Sequence, residues 1–313
     1  MKIYEYFHGK SIIENTAIAL GFFDGVHKGH RILLETTKKL AEKNNLTFAV
    51  FTFRSENSFK SGGSIYSTDE KLEIFESLGV EAVILADFAS VAGISAEEFV
   101  LSALIKDMGC KAAVAGFDFR FGNKATGNAD LLKKLLYENG AMCVIEEEQQ
   151  IDGGKISTSA IKELLQCGDS KNARRYLETP YFITATVTHG NGVGRKLGFP
   201  TVNTALPSGR VNLKMGVYRT AVAIDGRLYS AVTNVGVCPT FDAREAHSET
   251  YIIDYSGDLY DKKIRIFFLD YLREEIKFEN PKSLVLQINV DINRAIKENG
   301  ELKWQEIGLS LPQ

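Results

Sequence analysis

Cysteine is scarce and scattered: the four in 313 residues (Cys110, Cys143, Cys167 and Cys238) form no C-x-x-C pair. That spacing argues against a zinc ribbon or a disulfide scaffold, and for free thiols in a reducing compartment. Positive charge is also short. The net charge is −3, without the clustered Lys and Arg of a nucleic-acid footprint. No run approaches the ~20 apolar residues that span a bilayer. Met1-Lys2-Ile3-Tyr4-Glu5-Tyr6 lacks the basic and apolar regions of a signal peptide. Internal repeats and low-complexity segments are absent too. The expectation is a cytoplasmic protein with small-molecule partners, no nucleic acid and no membrane; its oligomeric state stays open. What the chain does have is core material, 44% apolar and 25% charged, in a length that suits two domains.

The first half alternates short apolar runs with amphipathic helical patterns, which predicts βαβ units and a mainly parallel sheet. Strands are expected at Ile18–Leu20, Leu46–Phe53, Val80–Ala86, Ala112–Gly116 and Ala141–Glu146. Ser67 with Glu70, and Ser95 with Glu98, have capping-box spacing. Gly79, Gly109 and Gly140 suit left-handed helix ends. After about residue 180 the period falls to two, with strand-like runs at Phe182–Val187, Val217–Val222, Glu249–Asp254 and Ile264–Phe268. Asp225-Gly226 is a tight-hairpin pair. A helix from Pro281 to Glu298 closes the pattern, its proline in the first turn. This half reads as an antiparallel β-barrel with a terminal helix. The join falls near Glu178-Thr179-Pro180, because the residue before a proline leaves helical conformation. The expected domains are residues 1–179 and 180–313.

Gly21-Phe22-Phe23-Asp24-Gly25-Val26-His27-Lys28-Gly29-His30 follows the first predicted strand and opens a helix. Open α/β sheets bind ligands at that edge, and a helix N-terminus suits phosphate. Imidazoles there can donate hydrogen bonds as charge builds on phosphorus. A plainer reading is a glycine turn with one histidine as helix cap. Gly116-Phe117-Asp118-Phe119-Arg120-Phe121-Gly122 offers aromatic faces, a carboxylate and a cation, or simply a surface loop with core phenylalanines. Ile156-Ser157-Thr158-Ser159 opens another helix; its hydroxyls could hold phosphates, with Lys162 adding charge, or serve only as caps.

In the second half, residues 188–203 carry glycines at 190, 192, 194 and 198 before Pro200. No Gly-Lys-Ser/Thr occurs, so this is not a Walker loop, and Pro200 argues against a dinucleotide fingerprint. Thr201 and Asn203 sit two apart and share one face of an extended segment, presenting hard donors suited to Mg²⁺ on ATP phosphates, or satisfying only local backbone in a Gly/Pro-rich barrel loop. Asn234-Val235-Gly236-Val237-Cys238-Pro239-Thr240-Phe241 ends one strand, and Glu249 begins the next. A strand carboxylate can take the proton of an attacking alcohol, or can be an ordinary surface residue.

Over nearly the whole chain these segments, in this order, resemble the bacterial bifunctional riboflavin kinase/FAD synthetases. The resemblance implies a nucleotidyltransferase-type, Rossmann-like N-terminal domain and a barrel kinase domain. Riboflavin would be phosphorylated to FMN, then FMN adenylylated to FAD, with ATP as co-substrate and Mg²⁺ in both steps. It implies catalytic roles for His27 and His30, and nucleotide or phosphate contacts at Gly21, Asp24, Gly29, Asp118, Ser157, Thr158, Ser159 and Lys162. In the kinase half it implies Glu249 as base and Thr201 and Asn203 on the metal. Gly192, Gly194, Lys196 and Asn234 would lie on the nucleotide. Phe119, Phe121, Gly198, Pro200 and Arg273 would lie on the flavin, Arg273 in a segment that is mobile in the family. Two segments depart from the family. T-F-x-P-H-P becomes Thr52-Phe53-Arg54-Ser55-Glu56-Asn57, and I-S-S-T-R-I-R becomes Ile156-Ser157-Thr158-Ser159-Ala160-Ile161-Lys162. Two alternatives therefore stand beside the bifunctional enzyme: a riboflavin kinase whose first half is impaired or only binds flavin, and a non-catalytic flavin-responsive regulator.

Overall fold

The computed structural model describes residues 1–57, 62–151, 153–190, 192–237, 246–299 and Ile307. By its internal contacts the chain divides into Met1–Thr158 and Ser159–Gln313.

In the first unit, strands β1 (Lys2–Tyr6), β2 (Thr16–Leu20), β3 (Thr47–Phe53), β4 (Ala82–Ala86), β5 (Cys110–Gly116) and β6 (Met142–Glu146) form one parallel sheet. Its order is β1-β4-β3-β2-β5-β6. All five residues of β2 and of β4 are buried, because central parallel strands are covered on both faces and need apolar side chains throughout. β1 has only Tyr6 buried. It lies at the sheet edge, where a short run with two charged residues is tolerated, and the apolar-run criterion passes over it. From β2 the chain builds outward through β3 and β4, then returns to place β5 on the other side of β2. The strand order reverses there, so a crevice opens beyond the carboxyl ends of β2 and β5. The Gly21–His30 turn leaves β2 at that point, and the Gly116–Gly122 segment leaves β5.

Helices α1 (Lys28–Asn44), α2 (Thr68–Ser77), α3 (Phe88–Val91), α4 (Ala96–Glu98, continued as π-helix over Phe99–Asp107) and α5 (Ala129–Glu138) make the connections. Ser67 and Glu70 form a complete capping box on α2. Ser95 caps α4, but the Glu98 carboxylate turns instead to His8 Nε2 at 3.1 Å. Gly79, Gly109 and Gly140 have φ of 81°, 55° and 72°, as helix-terminal glycines should. A small hairpin, β7 (Gln150–Ile151) and β8 (Gly154–Lys155), precedes α6 (Thr158–Cys167) and α7 (Ser170–Leu177).

The second unit is a closed barrel in the order β10-β13-β12-β11-β14-β9. Its strands are β9 (Tyr181–Thr188), β10 (Thr201–Ala205), β11 (Gly216–Ile224), β12 (Arg227–Val237), β13 (Ala246–Ile252) and β14 (Lys263–Arg273), every pairing antiparallel. Asp225 (φ 46°) and Gly226 (φ 75°) make the β11–β12 hairpin with the positive angles of a type I′ turn. Inside the barrel, Thr220, Thr233 and Thr250 are fully buried and joined Oγ1 to Oγ1 at 2.8 and 2.9 Å, so neighbouring strands satisfy each other's hydroxyls. A short helix α8 (Val193–Lys196) lies between β9 and β10, and α9 (Pro281–Asn299) closes the unit. Two barrel ranges differ from expectation by more than two residues at one end. β13, which begins at Ala246, stops at Ile252, because Asp254 (φ 57°) turns the chain. β14 continues five residues past Phe268, held by its ladder to β11.

Candidate active sites

In the first unit the Gly21–His30 turn is tightly folded. Phe23 (φ 52°), Gly25 (φ 85°) and Val26 (φ 39°) all have positive φ. Non-glycine residues hold such angles only where the surroundings impose them. Here Phe23 and Val26 are completely buried, and the Phe23 ring meets Phe75 edge-on at 5.6 Å. The Phe23 ring lies over Gly21, where a Cβ would approach it to 3.1 Å. Asp24 is 6% exposed and its Oδ1 accepts the Ile65 N–H at 2.7 Å. Its carboxylate thus anchors the turn, a scaffold placement rather than the nucleotide contact expected of it.

His27 is the N-cap of α1, its ring nitrogen Nδ1 accepting the His30 N–H at 3.3 Å. An Nδ1 acceptor leaves Nε2 as the donor of the neutral ring. The two imidazoles stack with centroids 3.6 Å apart and planes within 15°. Gly29 permits the stack, since a Cβ there would come 3.3 Å from the His27 ring. The cap and the histidine pair are therefore one arrangement. Thr158 Oγ1 donates to the Asp24 carbonyl at 3.2 Å, joining the serine/threonine segment to this turn. Ser159 and Lys162 follow in the first turn of α6, Ser159 exposed and Lys162 buried. Beyond β5, Asp118 is exposed and Phe119 half-buried. Phe121 is 6% exposed and packed on Phe99 at 5.3 Å, so its ring belongs to the core, contrary to the flavin contact expected of it.

Sequence reasoning missed Lys71, which is 1% exposed. Its Nζ donates to the Phe53 carbonyl at 2.6 Å, and to the Phe22 carbonyl and Thr52 Oγ1, each at 3.3 Å. The signal was present: Lys71 lies three and four residues before the buried Ile74 and Phe75, on the inner face of α2.

In the second unit, register assembles the site. Asn203 pairs with Glu249, Glu249 with Asn234, Asn234 with Val217, and Val217 with Arg273. Four of the singled-out residues thus lie in one row across five strands. Thr250 and Ser248 point into the barrel, so Glu249 between them and the rest of its row face outward. The next row pairs Thr201 with Tyr251 and Tyr251 with Val232. Part of this outer face is covered by α9, through Ile288, Ile292 and Ala295 against Phe199, Val232 and Tyr251. A cavity of about 270 Å³ remains, and Gly194, Thr201, Asn234, Glu249, Arg273 and Asp291 are among the residues that line it. Apolar walls with a few convergent polar groups suit a planar organic ligand.

The glycine loop rests on the same face. A Cβ on Gly190 would fall 2.3 Å from Asn203 Nδ2, and one on Gly194 would fall 2.4 Å from the Phe199 carbonyl. Gly192 is the N-cap of α8 and Gly194 lies in its single turn, while Lys196, Gly198 and Pro200 are exposed. Asn191 and Cys238-Pro239-Thr240-Phe241 lie outside the described residues. Glu249 is exposed, and His247 Nε2 stands 3.8 Å from its Oε1. Asn234 Nδ2 donates to Glu275 Oε1 at 2.9 Å. Thr201 and Asn203 present a hydroxyl and an amide on one face, and the described residues contain no cluster of three or more His, Cys, Asp or Glu ligands. Neutral oxygens of this kind fit a hydrated Mg²⁺ whose other ligands are substrate phosphates.

Arg273 ends β14 and is paired with Asp291 of α9: Nη2 to Oδ2 is 2.7 Å, and Nε reaches both carboxylate oxygens at 3.1 and 3.2 Å. Gln287 Nε2 donates to the same carboxylate at 3.0 Å. Asp291→Asn leaves this guanidinium without its anion in a largely buried place, and is expected to destabilise the barrel by about 3 kcal/mol. A lower urea midpoint, with Arg273 and α9 less protected in hydrogen exchange, checks this.

A parallel sheet with a histidine-capped turn at its switch point, followed by a barrel with a polar row on its outer face, defines a two-module nucleotide-handling protein. The FAD synthetase family matches residues 9–160 and the riboflavin kinase family residues 177–298. The bifunctional riboflavin kinase/FMN adenylyltransferase of Bacillus subtilis (strain 168) is 34% identical, over 92% of this chain and 94% of its own length. That of Haemophilus influenzae is 32% identical, over 91% and 94%, and that of Escherichia coli (strain K12) 30%, over 89% and 91%. A crystal structure from Streptococcus pneumoniae, described as a macrolide-efflux protein, superposes with a TM-score of 0.86 at 30% identity, covering 96% of this chain and 99% of its own. Among the described residues no helix is long and apolar enough to cross a membrane. The chain belongs to the bifunctional riboflavin kinase/FMN adenylyltransferase family.

Proposed function

We propose that this protein phosphorylates riboflavin to FMN and then adenylylates FMN to FAD, using one ATP in each step. The observation that carries the reading is the row Asn203–Glu249–Asn234, which sets a carboxylate between two amides on rigid neighbouring strands beside a mostly apolar cavity.

In the kinase step the Glu249 carboxylate accepts the proton of the ribityl 5′-hydroxyl as that oxygen attacks the γ-phosphorus, and ADP leaves. Thr201 and Asn203 would hold the ATP-bound Mg²⁺, which would supply neutralisation of the phosphate charge. The glycine loop, with Gly192, Gly194 and Lys196, covers the phosphates, because residues without Cβ let the backbone come close. Asn234 orients the nucleotide, and Arg273, Gly198 and Pro200 border the flavin. In the adenylylation step an FMN phosphate oxygen attacks the α-phosphorus of ATP and pyrophosphate leaves. His27 and His30 donate hydrogen bonds to the oxygens where charge builds. Gly29, Ser157, Thr158, Ser159 and Lys162 hold phosphates, and Asp118 and Phe119 border the ligand. The two modules are assigned to residues 1–179 and 180–313, and the cytoplasm is the expected compartment.

A second reading, kinase activity alone, is favoured by one contact. Where the family has P-H-P, Glu56 accepts the Thr68 N–H at 3.1 Å and is committed to the start of α2. Riboflavin incubated with ATP and Mg²⁺ separates the readings by chromatography. FMN with FAD is the expected result under oxidised or reduced flavin conditions. FMN alone under both removes the adenylylation step, and no FMN removes the proposal.

A further inference from the structure

The ammonium of Lys71 is nearly sealed from water, yet every hydrogen bond described for it goes to a neutral oxygen: the Phe53 and Phe22 carbonyls and Thr52 Oγ1. A buried charge satisfied only by neutral groups is costly to stability, and a methionine or leucine would fill the same space. The place is also particular. Phe53 ends β3, and Phe22 begins the turn that carries His27 and His30. Thr52 Oγ1 donates to the Phe22 carbonyl at 2.9 Å, so lysine, threonine and turn form one clasp. The clasp lies at the carboxyl edge of the sheet, where the triphosphate of ATP and the departing pyrophosphate would gather negative charge.

We propose that Lys71 is a positioning residue for adenylyl transfer, which clasps the Phe22–His27 turn to the end of β3 and places a fixed positive charge beneath the phosphates. This rests on the adenylylation step proposed above. The lysine stays in α2 and the protein behind the turn; its field, and the turn's position, are what the reaction uses. The charged groups around it are Asp24 from the turn and Glu56 from the segment after β3, while β3 itself offers only Thr52 and a carbonyl. Burial pushes the ammonium down from its usual 10.5 to about 8, against the pull of those two carboxylates.

The sign of the pH effect follows. Below pH 8 the ammonium is charged in the folded protein, and above it the amine is neutral there while still charged in the unfolded chain. Between about 8 and 10.5 the unfolded state therefore binds more protons, so Lys71's contribution to stability improves as pH rises. Adenylylation that uses the charge falls over the same range. A purely structural lysine would not set activity and stability moving in opposite directions.

The test measures FAD formation from FMN, ATP and Mg²⁺ between pH 6.5 and 9.5, with FMN formation from riboflavin in the same preparations as the control. Wild type is expected to lose FAD formation through pH ~8, with FMN formation showing no such limb. Lys71→Met is expected to lower FAD formation about tenfold at neutral pH and to abolish the alkaline limb. Lys71→Arg keeps a charge that does not titrate and is expected to move the limb beyond the range measured. Should the methionine variant not fold, the wild-type and arginine profiles decide alone. A folded methionine variant with wild-type rates, or either variant keeping the wild-type limb, overturns the inference. Wild-type protein that makes FMN but no FAD fails one step earlier and overturns the adenylylation reading along with it.

Discussion

Glu249→Gln is expected to lower the rate of FMN formation by roughly 10²–10⁴-fold, the range that a positioned general base contributes. Glutamine keeps the size and the hydrogen-bonding oxygen and removes only the capacity to take a proton. Glu249 is exposed at the centre of β13, so nothing packs on it tightly enough for the change to unfold the barrel, and surface substitutions of this kind stay within about ±0.5 kcal/mol. The loss should fall on kcat more than on the KM for riboflavin, because the carboxylate acts on the proton in flight rather than on the bound ring. FAD formation from supplied FMN should be unchanged. Full retention of FMN formation in the glutamine protein would remove Glu249 as the base and leave the Asn203–Glu249–Asn234 row as a barrel surface only.

His30→Ala is expected to lower FAD formation from FMN by roughly 10²–10³-fold, the scale for one preorganised donor at a developing charge. His27→Ala should match that loss and add a second effect. Its Nδ1 caps α1 by accepting the His30 N–H, and removing a cap costs about 1 kcal/mol. The paired variants thus separate chemistry from scaffold: both lose adenylylation, and only His27→Ala lowers the melting temperature through the cap. FMN formation in both should match wild type. If both alanine proteins make FAD at the wild-type rate, the stacked pair is a helix cap and nothing more.

Much of this was readable in one dimension. Apolar runs between amphipathic helices marked β2 to β6 to within about two residues, most plainly β2 and β4, because a strand covered on both faces needs apolar side chains throughout. Asp225-Gly226 announced its hairpin, since few pairs accept two positive φ angles. The Gly21–His30 turn, the Thr201/Asn203 pair and Glu249 stood out as candidates because few residue types offer imidazole donors, hard oxygens or a carboxylate at such spacing. Asp24 and Phe121 went differently. Each has the right type for a ligand contact, and each is turned inward by a neighbour far along the chain, Ile65 for one and Phe99 for the other.

The sequence by itself determined the two periodicities, the turns and the inventory of reactive groups, all of which depend on residues within a few positions of one another. Only the tertiary structure decided that Asn203, Glu249, Asn234 and Arg273 share one row. Strand register is set by hydrogen bonds between segments as much as 56 residues apart, and a slip of one residue would send each side chain to the opposite face. It also decided that Lys71 is buried and that Arg273 is locked to Asp291. Burial and ion pairing belong to both partners of a contact, and no local pattern in either partner contains the other.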